Sequence, residues 1–368
     1  MLKQFPMLRY VLQKGFWYLL TFIVAVAINF TLPRLGQDQV DILMGQSAAG
    51  LSPEMAAEKK LGYLKDLNRL VYDADGNIVF AVSVVKDPVT GEEREVKEPV
   101  QKNIVSQFAD YVIGIFHGDL GFSFNKNKKV SEIIAESLPW TLAIQFPTIV
   151  LGWIVGNLLG AFAAYKRGIF DKVFFPVAMF LNGVPYFVFG MLLVALFSIT
   201  LGWFPAMGAY SLDMTPSFSF EFFKSLGFYY VLPFFSCFPI LLSGQATGMR
   251  SMSIYELGTD YMKYAKWLGL REGKIITYVF RNAMLPQLTG LAQSLGAMVG
   301  GALITEMIFS YPGLGMAMLN AIQANDYATI QGCTLMISTC VLLANFAVDV
   351  LIAIFDPRVK AGIQMGGK

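Results

Sequence analysis

Residues able to do chemistry are sparse in this chain, and their spacing argues against catalysis. There is one histidine, His117, followed by Gly118-Asp119. A metal centre takes three or four protein ligands, and neither a cysteine nor a second histidine is near it in sequence. An intramembrane serine protease would need a histidine inside an apolar span, and His117 falls just outside one. Asp73, Asp75 and Asn77 alternate as in a calcium loop. The glycine and the acid that follow are not at EF-hand offsets, so a hairpin turn is the better reading. Gly269-Leu270-Arg271-Glu272-Gly273-Lys274-Ile275 has a superficial likeness to a phosphate loop. It is one residue short, lacks the Ser or Thr that holds magnesium, and follows no expected strand. The three cysteines, Cys237, Cys333 and Cys340, all sit in apolar stretches. Cys333 and Cys340 are two helical turns apart, too far for a disulfide, and all three read as small buried hydrophobes.

Ionisable residues inside apolar spans are functional candidates by default. Here they are Glu306, near the outer end of one span, and Asp349, late in another. Either could face a polar translocation path. The other reading of Glu306 is an interface residue capping the Tyr311-Pro312-Gly313 turn. A second set of candidates serves packing. Gly152, Gly156 and Gly160 recur every fourth residue, as do Gly296 and Gly300, and such stripes let helix backbones approach closely.

The elements that must position these residues follow from composition. The chain has 368 residues, 55% hydrophobic and 15% charged, with a mean hydropathy of +0.54. Soluble chains average about 25% charged residues. The charges are also clustered, with 28 of the 54 lying between Arg34 and Glu136. Outside that window are apolar runs long enough to cross a bilayer, which takes about 20 residues. A soluble enzyme is excluded, and so is a transmembrane β-barrel, whose spans would be about ten residues of alternating polarity. The net charge of +2, with bases only at loop ends, gives no basic patch for nucleic acid.

Six spans are expected, at about residues 10–32, 138–165, 173–201, 228–249, 283–309 and 329–355. The first is not a cleavable signal peptide, because it is long and lacks a small-residue cleavage site. Short loops on one side carry fifteen Lys and Arg and those on the other carry one, Lys224. That bias places both termini in the cytoplasm. The fold class expected is therefore an all-α polytopic membrane protein of six transmembrane helices, with a small α+β extracytoplasmic insert between the first and second. Its divisions are residues 1–34, the insert 35–136, a five-helix core 137–358 with a cytoplasmic loop 250–282, and a cytoplasmic tail 359–368. Within the insert, Ser52-Pro53-Glu54 opens a helix through about Leu70. Turn signals at 73–77 and 89–92 flank the β-rich run 78–85, predicting a hairpin. An amphipathic helix is expected over 100–117.

The loop 250–282 is the most informative segment. It is basic and amphipathic, with Ile254, Leu257, Tyr261, Tyr264, Ala265 and Leu268 at helical spacing and a break at Gly269. A second helix begins near Glu272, with Ile276, Val279 and Phe280 on one face. Two short helices joined at a glycine suit a surface that docks into another protein's groove, and equally an interfacial helix lying on lipid.

At this loop the chain resembles a known family. Asp260-Tyr261-Met262-Lys263-Tyr264-Ala265-Lys266-Trp267-Leu268-Gly269-Leu270, continuing to Arg281-Asn282-Ala283-Met284-Leu285-Pro286, is similar to the EAA-type coupling loop of ABC importer permeases of the dipeptide/oligopeptide family. Gly118-Asp119-Leu120-Gly121-Phe122-Ser123, Leu138-Pro139-Trp140-Thr141-Leu142 and Asn182-Gly183-Val184-Pro185-Tyr186-Phe187 resemble further family blocks. So do Gly301, Glu306, Ile308-Phe309 with Pro312-Gly313-Leu314-Gly315, and Asp349 with Asp356-Pro357-Arg358. The likeness covers about residues 105–358 and the first span. Two departures stand out: Trp267-Leu268 replaces the family's usual Ala-Lys, and a long insert precedes Val100.

The resemblance implies a transport subunit that is not itself an enzyme, in the cytoplasmic membrane of a prokaryote and in contact with lipid. It would work with a second homologous permease, two ABC ATPase subunits and an extracytoplasmic binding protein. ATP and magnesium would belong to the ATPases, leaving this chain without cofactor or metal. Coupling would run through the loop, with Glu256, Asp260, Lys263, Tyr264, Ala265, Lys266, Gly269, Arg281, Asn282 and Pro286 as its candidate residues. Among these, Gly269 permits the turn and Ala265 gives close approach. Oligopeptides are the implied cargo, with oligosaccharides the runner-up. The competing classes are an ATPase-independent secondary carrier and a scaffold without a transport role.

Overall fold

The structure, a computed structural model, describes residues 6–36, 38–47, 51–86 and 93–355. The expected turn at 89–92, the ending Asp356-Pro357-Arg358 and the tail 359–368 lie outside the described residues. The chain is mostly helical. Among the described residues, four helices are long and apolar enough to cross a membrane: Met7–Arg34, Val130–Lys166, Phe220–Leu257 and Tyr327–Ile354. They belong to α1 (Pro6–Thr31, closed by a 3-10 turn at Leu32–Arg34), α5 (Val130–Lys166), α8 (Phe220–Leu257) and α12 (Tyr327–Phe355). With 37 and 38 residues, α5 and α8 exceed the roughly 20 residues that a bilayer core requires.

The third expected span is broken. Residues 169–200 form α6 (Ile169–Gly183), α7 (Tyr186–Leu193) and a π-helical stretch (Val194–Thr200), with a 99° bend at the break. Pro185 causes it. A residue before proline is driven out of the helical region, and Val184 is extended, with φ −89° and ψ 125°. Counted as one broken span, this pair brings the total to five. The expected span at 283–309 falls on α10 (Glu272–Ile308) and its C-cap Phe309, a continuous helix containing Pro286. The surroundings of Gly296 and Gly300 lie outside the described residues.

The chain divides into two compact units. One comprises Met1–Phe22, Glu136–Leu319 and Met336–Lys368. Its core includes Ile149, Leu295 and Val348, which bring together α5, α10 and α12. Here α5 packs on α8 through the glycine stripe. A Cβ at Gly156 would stand 2.6 Å from the Leu242 carbonyl oxygen, and one at Gly160 only 2.3 Å from that of Ala246. Any side chain there would force the helices apart. At the end of α8, Arg250 meets Asp171 of α6 through two hydrogen bonds of 2.5 and 2.7 Å, and its guanidinium lies over the Phe175 ring.

The other unit comprises Ile23–Ala135 and Asn320–Leu335. Its small core is Val40, Leu64 and Leu70, contributed by α2 (Gln39–Ser47), α3 (Pro53–Asp66) and the segment after it. Ser52 caps α3 by accepting from the Met55 amide, and Asn103 caps α4 (Ile104–Phe116) by accepting from that of Ser106. Strands β1 (Phe80–Lys86) and β2 (Glu93–Pro99) pair antiparallel, from Phe80 opposite Pro99 to Lys86 opposite Glu93. A two-residue pair, β3 (Phe122–Ser123) and β4 (Lys128–Lys129), leads into α5. The Asp73 carboxylate accepts from the amides of Asp75 and Asn77 at 3.0 and 2.8 Å. These bonds make the acidic cluster a turn held by its own backbone. Buried Ser123 donates to Asp326, which also accepts from Thr329, so the Gly118–Ser123 block is tied to the start of α12.

Candidate coupling surface and the carboxylate at the end of α10

The loop between α8 and α10 folds into one short helix, α9 (Asp260–Trp267), set between two tight turns. Gly258 and Thr259 separate it from α8. At its far end Gly269 has φ +73°, with hydrogen bonds from Gly269 N to Lys266 O and from Leu270 N to Ala265 O. That is the left-handed helix ending for which glycine is preferred. Met262 is fully buried, packed with Ile275 and Val279 of α10 and against Leu257 and Leu270. One face of α9 is thereby fixed on the first turns of α10.

The other face is open. Tyr261, Tyr264, Trp267 and Leu268 are exposed, Trp267 at 76% and Leu268 at 79%. The rings of Tyr264 and Trp267 meet edge to face at 5.4 Å. Of the apolar positions spaced along the sequence, Tyr261, Tyr264 and Leu268 therefore mark an outward stripe, whereas Leu257 packs inward. Lys263 and Asp260 form an exposed ion pair of 2.8 Å within α9, and this pairing holds the Asp260 carboxyl below the usual range. Lys266, Gly269 and Arg281 are exposed, Ala265 is half-buried, and Pro286 lies on an exposed side of α10.

Glu256 and Asn282 are turned toward each other through a residue that the spacing argument treated only as apolar. The Tyr261 hydroxyl donates to Glu256 Oε2 and accepts from Asn282 Nδ2 at 2.7 Å. One phenol thus joins the end of α8, α9 and α10.

At the other end of α10, Glu306 is 1% exposed. Its Oε1 accepts from the Thr141 hydroxyl at 2.6 Å, and its Oε2 from the Met316 amide at 2.9 Å. Thr141 in turn accepts from the Leu314 amide at 2.8 Å. Met316 and Leu314 open α11 (Leu314–Gln323), so the carboxylate sits where free amides and the helix dipole favour negative charge. Gly313 and Gly315 make room. A Cβ on Gly313 would fall 2.2 Å from the Glu306 carboxyl, and one on Gly315 would fall 2.7 Å from the Leu303 backbone.

Comparison with known proteins decides what this arrangement belongs to. The family model described as "Binding-protein-dependent transport system inner membrane component" matches residues 156–361, which hold α9 and Glu306. The chain belongs to that family. It is 30% identical over 356 residues to the di/tripeptide transport system permease protein DppB of Pseudomonas aeruginosa (strain UCBPP-PA14), covering 92% of this chain and 95% of that one. It is 32% identical over 280 residues to the dipeptide transport system permease protein DppB of Escherichia coli (strain K12), covering 71% and 82%. The protein is thus a multi-pass inner-membrane permease, and the relatives are subunits of transport systems.

The remaining intramembrane acid of this permease is also engaged. Asp349 pairs with Lys14 at 2.9 Å and accepts from the Tyr18 hydroxyl at 3.0 Å, joining α12 to α1. The structure therefore places neither Glu306 nor Asp349 as a free carboxylate. Of the partners that sequence reasoning missed, Thr141 lies 165 positions from Glu306, and no local signal joins them. The Tyr261 hydroxyl left a faint one, since buried or bridging phenols need polar partners.

Proposed function

We propose that this permease carries oligopeptides inward across the cytoplasmic membrane, driven by two ATPase subunits that grip α9 and its flanking turns. The observation that carries the reading is the division of α9 into two faces. Met262 anchors one face on α10, and the other presents Tyr264, Trp267 and Leu268 without cover from the described residues. Aromatic side chains on a rigid helix are efficient anchors for a partner's groove. Asp260, Lys263 and Lys266 supply a polar rim, and Gly269 fixes the turn that returns the chain to α10. Peptide cargo is favoured over oligosaccharide by the peptide-permease names of both relatives.

In this reading the chain has six spans with both termini in the cytoplasm. Residues 35–136 form an outward module, and 250–282 face the ATPases. A second homologous permease completes the pathway, and an extracytoplasmic binding protein delivers cargo. Glu306 serves as a lock among α5, α10 and α11, and Asp349 as a tie between the first and last helices. The carrier reading would need at least one of these two acids to be free to load and release a coupling ion.

The test is uptake of a labelled oligopeptide into proteoliposomes holding the assembled complex, with ATP on the ATPase side and the binding protein on the other. Uptake that requires both supports the proposal. Uptake driven by an ion gradient without ATP overturns it in favour of a carrier.

A further inference from the structure

We propose that α4 lies on the extracytoplasmic surface of the bilayer, seated in the boundary between lipid headgroups and acyl chains by an apolar stripe of its own. The inference rests on the membrane orientation given above and adds a lipid contact outside the spanning helices.

At 100° per residue, α4 has three sectors. Phe108 and Tyr111 face α1. Their rings lie 5.2 and 5.5 Å from that of buried Phe30, and the Asn29 amide donates to the Tyr111 hydroxyl at 3.1 Å. Ser106, Gln107 and Asp110 form the polar sector. Asp110 is held by Lys102 at 2.6 Å, and the Gln107 amide donates to the Lys102 carbonyl. The third sector is Val105, Ala109, Val112 and Phe116, at successive i+3 and i+4 positions. Val105 is 77% exposed and Phe116 82%, and neighbouring Ile113 is exposed as well.

What covers this stripe follows from where α4 is fastened. Asn29 and Phe30 belong to the last turns of α1, the first membrane-crossing helix, and Arg34 closes that end with its guanidinium 3.6 Å over the Phe30 ring. The same end of α1 exposes Ile28, Leu32 and Leu35. The level at which α4 is held is therefore the level at which hydrocarbon gives way to headgroups. A helix of 13 residues is about 20 Å long, too short to cross. With one apolar side, one polar side and a tether at the interface, it meets the description of a helix lying in the membrane surface. A water-soluble partner would meet a stripe without a charge or a hydrogen-bonding side chain to orient it.

The experiment uses the assembled importer in lipid nanodiscs, with an environment-sensitive fluorophore on single introduced thiols: Val105→Cys and Phe116→Cys in the stripe, and Ser106→Cys as the polar-sector control. The native chain, whose Cys237 and Cys333 are buried and whose Cys340 is half-buried, is the blank. Ile23→Cys, on an exposed position of α1, reports separately whether α1 crosses the bilayer. The expected result is quenching at 105 and 116 by lipids with a nitroxide near the headgroup, about twofold or more above that at 106. Mid-bilayer nitroxides should quench Ile23→Cys. Equal quenching at 105, 106 and 116 with Ile23→Cys still quenched overturns the inference alone. Loss of quenching at Ile23→Cys overturns it together with the membrane orientation. Loss of the lipid signal at 116 on adding the binding protein also overturns it, giving the stripe to a protein partner.

Discussion

The side-chain amide of Asn282 donates to the Tyr261 hydroxyl across 2.7 Å, fastening α9 to the helix that follows it. Because the same hydroxyl donates to Glu256, this phenol holds α9 together with the packing of Met262 on α10. Tyr261→Phe removes only the oxygen. It should leave ATPase subunits bound while lowering the ATPase stimulation caused by binding protein several-fold, as loss of a net hydrogen bond of about 1 kcal/mol allows. Asn282→Ala should do the same, and the double variant should be no worse than the worse single one, because both act through one contact. Additive losses would mean that Tyr261 and Asn282 act separately.

Glu306 holds three elements through two hydrogen bonds, so its removal should be felt as instability. Glu306→Ala leaves the Thr141 hydroxyl proton and the Met316 amide without their acceptor, at about 1–3 kcal/mol each. The thermal midpoint of the detergent-solubilised chain should fall accordingly. Gly313→Ala should lower it as well, since the added Cβ has no room beside the carboxyl. An unchanged midpoint in both variants, with transport lost, would instead make Glu306 a residue of the transport path.

The glycine stripe of α5 gives a graded expectation. Gly160→Ala sets a methyl group against the Ala246 backbone and should destabilise by about 1–3 kcal/mol, whereas Gly183→Ala, with nothing within 4 Å, should be tolerated. Comparing the urea or thermal stability of the two variants checks the helix contact directly.

On the proposed reading, the exposed Asp260–Lys263 pair concerns docking more than folding. Lys263 keeps the Asp260 carboxyl below its ordinary range. Any stabilisation it gives is present above the unfolded carboxylate value and is lost only as pH falls through the still lower folded value. Stability should therefore be flat between about pH 5 and 8 as far as this pair is concerned. Lys263→Ala should leave the thermal midpoint unchanged, because the pair is exposed, while weakening ATPase binding. A lowered midpoint with intact binding would give the pair a purely structural role.

Much of the frame was legible in the residues, and the failures have physical causes. Ser52-Pro53-Glu54 and Gly269 act locally, through a cap and a left-handed turn, and local chemistry is readable. The break at Pro185 was harder to foresee. Pro139, Pro147, Pro176, Pro233, Pro239 and Pro286 all sit inside continuous helices, so proline alone does not decide. The partner of α9 was ambiguous because a protein-docking stripe and a lipid-facing stripe share one period; Met262, buried against α10, fixes which side of α9 is outward. The Thr141–Glu306 bond joins distant parts of the chain and has no local signature. The glycines at 152, 156 and 160 announced a close helix contact but not its partner, α8.

The most direct test of the central claim is affinity purification of the tagged permease in mild detergent, comparing the native chain with Gly269→Pro and Ala265→Trp. Proline cannot adopt the positive φ at 269, and tryptophan at 265 enlarges the half-buried position behind the exposed stripe. The account predicts that ATPase subunits and a second permease co-purify with the native chain. Both variants should lose the ATPases and keep the permease partner. If both variants retain the ATPases and still transport, α9 is not the coupling element and the account is wrong.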